Sequence, residues 1–143
     1  MSRLDHTLLT KEQLDEALAE RAETGELLGQ VLLRHAWIFE DELARVLAEQ
    51  HDLEFLNLRS VGVDRRLLPL IAAEDGRRLR AVPVRVGEGG DVLTAVADPN
   101  DRDGMAELAA IASEKARSLR LAVAEPSAID EIWERFVRGV ALV

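Results

Sequence analysis

At 143 residues, with 48% hydrophobic and 3% aromatic positions, the chain can bury a real core of aliphatic side chains but is too short for a large multidomain enzyme. A formal net charge of −9 opposes the phosphate neutralisation on which non-specific nucleic-acid binding depends. The absence of cysteine excludes disulfides, thiolate nucleophiles and Cys-ligated metal sites.

Residues 1–54 carry thirteen acidic and five basic side chains. Within this acidic front one helical pattern occurs twice. Set over each other, residues 12–21 (EQLDEALAER) and 41–50 (DELARVLAEQ) align Leu14 with Leu43, Leu18 with Leu47, Ala19 with Ala48 and Glu20 with Glu49. The same offset places Leu4 on Leu33, His6 on His35 and Leu9 on Ile38. Each copy has apolar residues at i, i+3 and i+4, the spacing of an amphipathic helix. Thr10 and Gln13 have the spacing of a capping box, whereas the second copy has Phe39 at the capping position and acidic residues 40–42 in its first turn. Leu28, Val31, Leu32 and His35 predict a further short helix after the breaker Thr24–Gly25, so the expected unit is a tandem helix-turn-helix over residues 1–50.

Beyond residue 50 the period changes. Residues 53–58 predict a short strand, Asp64 caps a helix with Leu67, Leu68, Leu70 and Ile71 on its buried face, and Pro69 distorts its first turns. Two β-branched runs, 79–86 and 91–97, flank Gly87, Gly89 and Gly90 as an antiparallel hairpin. Met105, Leu108, Ala109, Ile111 and Ala112 mark a helix and residues 119–124 a strand. The last helix opens at Pro126 and Ser127, with Asp130 three residues after the serine as in a capping box; Ile129, Ile132, Trp133, Phe136 and Val137 form its apolar face. The expected fold is α+β. A helical part of residues 1–50 precedes a small α/β part of residues 51–138 with a three- to four-stranded, mainly antiparallel sheet, and residues 139–143 form a tail.

Catalytic signatures are missing from the sequence. It has no phosphate-binding G-x-x-x-x-G-K-[ST] loop and no G-x-S-x-G elbow, and His6, His35 and His51 lack the H-x-x-x-H spacing of a zinc site. Ser127 is accounted for by helix capping. The expectation is a protein that is not an enzyme and needs neither cofactor nor metal. Residues 67–73, interrupted by Pro69, are the longest apolar run, far below the roughly 20 residues of a membrane span, and the N-terminus lacks a signal-peptide layout. A cytoplasmic location with no direct membrane insertion is therefore expected. Arg77, Arg78 and Arg80 offer a dock for an acidic partner surface, beside the plainer reading of a helix end with cations at its negative pole.

The paired helical units, the five-residue spacer 22–26, and the DLEFLNL, VPVRV, ADPND and IDEIWERF segments together resemble the MshEN or GspE N-terminal family, the N-terminal domain of type II secretion and type IV pilus assembly ATPases, over residues 3–137. The resemblance implies a regulatory or docking role toward a protein partner, such as a cytoplasmic domain of an inner-membrane platform protein. In part of that family, tandem copies of R-L-G-x-x-L…L-x-x-x-L-x-x-Q bind cyclic di-GMP. The second copy here keeps Leu28, Gly29, Leu32, Leu43, Leu47 and Gln50 but has Leu27 in place of the arginine. The first keeps Leu14 and Leu18, has Arg21 where the glutamine belongs, and lacks the R-L-G start. A charge-assisted arginine contact contributes about 1.5–3 kcal/mol, so losing two weakens binding roughly 10²- to 10⁴-fold. The resemblance thus implies cyclic di-GMP binding that is weak or lost.

Overall fold

The computed structural model describes residues 10–26, 28–35 and 39–139, with the side chains of Gly29 and Leu33 excepted. Leu4, His6, Leu9, Leu27 and Ile38, and the repeat matches built on them, lie outside the described residues.

Among the described residues three helices come first: α1 (Lys11–Thr24), α2 (Leu28–Arg34) and α3 (Glu40–Gln50). The capping box on α1 forms as its sequence dictates: the Gln13 N–H donates to Thr10 Oγ1 and the Thr10 N–H to Gln13 Oε1, both at 3.0 Å. Gly25, at φ 75°, closes the helix in the left-handed conformation that glycine adopts freely. Phe39 caps α3 without a side-chain bond, as expected of a side chain with no acceptor, and Glu40, Asp41 and Glu42 occupy the first turn.

The α/β part follows as β1 (Glu54–Phe55), α4 (Leu58–Val61), a 3₁₀ helix (Arg65–Leu70), α5 (Ala73–Leu79), β2 (Ala81–Val86), β3 (Val92–Val96), α6 (Arg102–Glu114), β4 (Leu119–Val123) and α7 (Pro126–Arg138). The four strands lie in the order β1-β4-β3-β2. The expected hairpin is present, with β2 antiparallel to β3, but β3–β4 and β1–β4 are parallel. The mainly antiparallel reading is thus corrected to a mixed, mostly parallel sheet. A strand, a 13-residue helix and a second strand return the chain to the end where it started, so β4 enters alongside β3 in the same direction.

Three local expectations also change. The predicted strand 53–58 shrinks to two residues, because Leu58 turns inward to begin α4. The helix expected after Asp64 splits: Asp64 does cap it, accepting from the Arg66 N–H, but Pro69 has no N–H to extend a ladder and Ile71 is extended. Lys115 Nζ donates to the Pro69 and Leu70 carbonyls at 3.0 and 2.8 Å, satisfying the end of that short 3₁₀ turn. Finally, Ser127 is not the cap of α7. Glu125 holds that position without a side-chain bond, and Ser127 lies inside the first turn.

The main core gathers Leu68, Leu79, Val82, Val84, Leu93, Ala95, Leu108, Ile129 and Trp133 between the sheet and helices α5, α6 and α7. All five β3 residues are buried, as expected of a strand covered on both faces. Val123 points the other way from Ala122 and Ala124, into a second cluster with Ala44, Leu47 and Ala48 of α3. A third, smaller cluster of Ala17, Val31 and Leu32 joins α1 to α2, and Leu43 touches both this cluster and the second.

Candidate site at the junction of the N-terminal helices and the sheet

The aligned leucines occupy unlike environments. Leu18 is 42% exposed whereas its counterpart Leu47 is 7% exposed, and Ala19 is exposed where Ala48 is buried. The two helices therefore bury different faces. Leu14 is half-buried and Arg21 exposed on α1, with the Arg21 carbonyl taking the Gly25 N–H. Leu28 and Leu43 pack against Ala17, Val31 and buried Leu32, Gly29 lies within α2, and Gln50 is exposed at the end of α3.

The structure brings Leu43 and Leu47 to one crevice with Gln30, Glu40, Ala44, Ala97, Asp98 and Pro126, where α3 meets the ends of β3 and α7. That crevice measures about 10 Å³, which leaves room for one water at most. Leu14, Leu18 and Arg21 do not line it. Outside it, a wider open cleft runs between the N-terminal helices and the α/β part. One stretch of about 410 Å³ holds Glu26, Arg34, Glu40, Ser127 and Asp130. The adjoining stretch of about 570 Å³ holds Arg77, Arg78, Asp98 and Asp101, and Glu26, Gln30 and Arg80 border both.

The cleft contains five carboxylates and four guanidiniums, and most of these groups are paired. Arg34 bonds Glu20 at 2.8 Å and Glu26 at 2.5 Å, and His35 Nε2 also meets Glu20 at 3.0 Å. The Arg34 and His35 hydrogen bonds hold the Glu20 carboxyl below its ordinary range. Arg78 is held by Glu107 and Asp75, which raise its pKa further. Arg80, left-handed at φ 48°, reaches Asp130 at 3.6 Å. Of the three arginines assigned to docking, only Arg77 makes no ion pair among the described residues. Burial pushes the Asp98 carboxyl up, opposed by the Asn100 N–H that donates to it at 2.9 Å.

Glu40, in the acidic first turn of α3, spans the junction. Its carboxylate accepts from the Ser127 N–H at 2.5 Å and from Ser127 Oγ at 2.9 Å, so one helix supplies the anionic cap of another. The sequence signal was partial: Glu40 and Ser127 each had a local explanation, and only the fold puts them in contact. Glu40→Ala is expected to cost about 1 kcal/mol, the worth of a helix cap. It should also speed amide exchange at Ser127 and in the first turn of α3, while exchange in β3 is unchanged; uniform protection would refute this junction.

Comparison with known proteins supplies the family. The MshEN domain matches residues 51–141, which is most of the chain and all of the sheet. The chain belongs to the MshEN domain family. The type IV pilus assembly ATPase PilB of Thermus thermophilus is 34% identical over 128 residues, covering 89% of this chain but only 14% of that protein. Among solved structures, MshE with cdg superposes at a TM-score of 0.76 with 25% identity, covering 93% of this chain and 94% of that one. The N-terminal domain of XpsE gives a TM-score of 0.66 at 25% identity over 92% of this chain and 89% of the other. The family match begins where the helical part ends, so it rests on the α/β part.

Proposed function

We propose that this MshEN domain is the non-catalytic, cytoplasmic N-terminal docking domain of a type II secretion or type IV pilus assembly ATPase, binding a cytoplasmic domain of an inner-membrane platform protein. Residues 1–50, a helical unit written twice, and residues 51–138 are its working parts. Likeness to the XpsE N-terminal domain and to PilB supports the ATPase setting. Among the described residues no helix is long and apolar enough to cross a membrane.

What supports weak or lost cyclic di-GMP binding is the placement of the motif leucines. Leu32 and Leu47 are buried, Leu28 and Leu43 pack within the same helical layer, and the crevice beside them is closed. Calorimetry with cyclic di-GMP should give only weak binding, because Leu27 stands where the motif arginine belongs; a sub-micromolar dissociation constant would overturn this reading. Copurification with the platform protein's cytoplasmic domain tests the docking role, and its failure would count against it. A second reading, a cyclic di-GMP receptor domain that regulates an attached ATPase or glycosyltransferase, is favoured by the similarity to MshE with cdg and by retention of Gly29 and Gln50.

A further inference from the structure

On another part of the surface, α4 and α7 diverge around a groove of about 220 Å³. Leu58, Val63, Ala128 and Ile132 form its apolar floor, and Arg59, Glu131 and Arg135 its rim. Gly62, at φ 71°, turns the chain away after the four-residue α4, and neighbouring Val61 is left 51% exposed. The volume lies below the roughly 300–1,000 Å³ of small-molecule sites and suits one or two large apolar side chains.

The rim carries the chemical information. Arg59 and Arg135 both lean on the single carboxylate of Glu131, at 3.4 and 3.5 Å, and Arg59 stands 3.9 Å from Glu125 and 3.5 Å from Ser127 Oγ. These contacts are longer than the 2.8 Å pairs Arg34–Glu20 and Arg138–Glu134. Exposed ion pairs of such length contribute little, so either guanidinium can transfer to an incoming carboxylate at small cost. On a chain of net charge −9, a groove with two loosely held arginines stands out from its surroundings. The concavity of the groove disfavours the flat surface of a bilayer as the occupant.

We propose that this groove docks an amphipathic helical segment of a protein partner, with a large apolar side chain seated between α4 and α7 and flanking carboxylates received by Arg59 and Arg135. The proposal rests on the docking reading above and assigns it a surface.

The test uses the ¹⁵N-labelled full chain and two synthetic amphipathic helices of about 16 residues that share a leucine face, one flanked by glutamates and the other by lysines. The glutamate peptide should shift the amides of residues 58–63 and 128–135 and bind at least about tenfold more tightly than the lysine peptide. Arg59→Glu/Arg135→Glu, two changes at half-exposed positions, should invert that preference. Equal binding of both peptides, shifts confined to the cleft near Arg80, or an unaltered preference in the double variant would overturn the proposal. So would perturbation of the same amides by phosphatidylglycerol vesicles in preference to the peptide, which would assign the groove to lipid. If the double variant copurifies with the platform domain as well as the native chain does, the docking role stands and this groove is not its surface. If the groove selects the acidic peptide and copurification fails, the groove stands without that partner.

Discussion

Trp133→Ala should lower the unfolding free energy by about 3–5 kcal/mol, a large share of the total for a domain of this size. Trp133 is completely buried, sits edge-on to Phe136 with ring centroids 5.9 Å apart, and donates its indole N–H to the Ala81 carbonyl at 2.8 Å. Truncation leaves a cavity between α7 and the sheet and strips a partner from a backbone oxygen at the start of β2. Trp133→Phe separates these effects: it keeps most of the apolar volume and loses the donor, so it should cost about 1–3 kcal/mol. Urea denaturation followed by circular dichroism checks both values; a Trp133→Ala midpoint within error of the native one would show that α7 is not anchored there.

Gly76→Ala is expected to destabilise by about 1–3 kcal/mol even though alanine is the better helix former by nearly 1 kcal/mol. A Cβ built at Gly76 overlaps Trp133 Cε2 and Cζ2, the rigid bicyclic edge of a fully buried side chain. The clash and the indole are therefore one interaction seen from two helices. In a Trp133→Phe background, Gly76→Ala should cost clearly less than in the native chain, because phenylalanine lacks the ring that the new methyl strikes. Additive costs would place the strain in α5 itself and not against α7.

These two residues also mark where the sequence was readable and where it was not. Trp133 sits in a stripe of Ile129, Ile132, Phe136 and Val137 at helical spacing, so its burial was legible from periodicity alone. Gly76 carries no such mark, since nothing local reveals that a residue some distance along the chain needs the space above it. The same division runs through the fold. Capping at Thr10 and Asp64 and the hairpin around Gly87 to Asp91 are short-range devices and appear where expected. Sheet direction was misread because it depends on how α6 carries the chain between strands, which alternation within a strand does not encode. At the candidate site, the leucine stripes predicted packing but not that Leu18 and Leu47 would differ so strongly in exposure. The Glu40–Ser127 contact joins residues with separate local explanations, and the Arg59–Glu131–Arg135 rim has partners on two elements far apart in sequence, so neither was visible beforehand.

The placement of β1 has a consequence for biosynthesis. Glu54 and Phe55 pair with Ala122 and Val123, and Val123 is the buried sheet residue that joins Ala44, Leu47 and Ala48 of α3, with Phe55 packed beside them. While the chain is being made, the first three helices leave the ribosome long before their docking surface exists. Loop closure on that scale must precede any stabilising contact with the sheet. Until β4 emerges, the apolar faces of Ala44, Leu47 and Ala48 lack their native cover, so the acidic charge concentrated in residues 1–54 supplies solubility to a nascent segment still waiting for the strand that completes it.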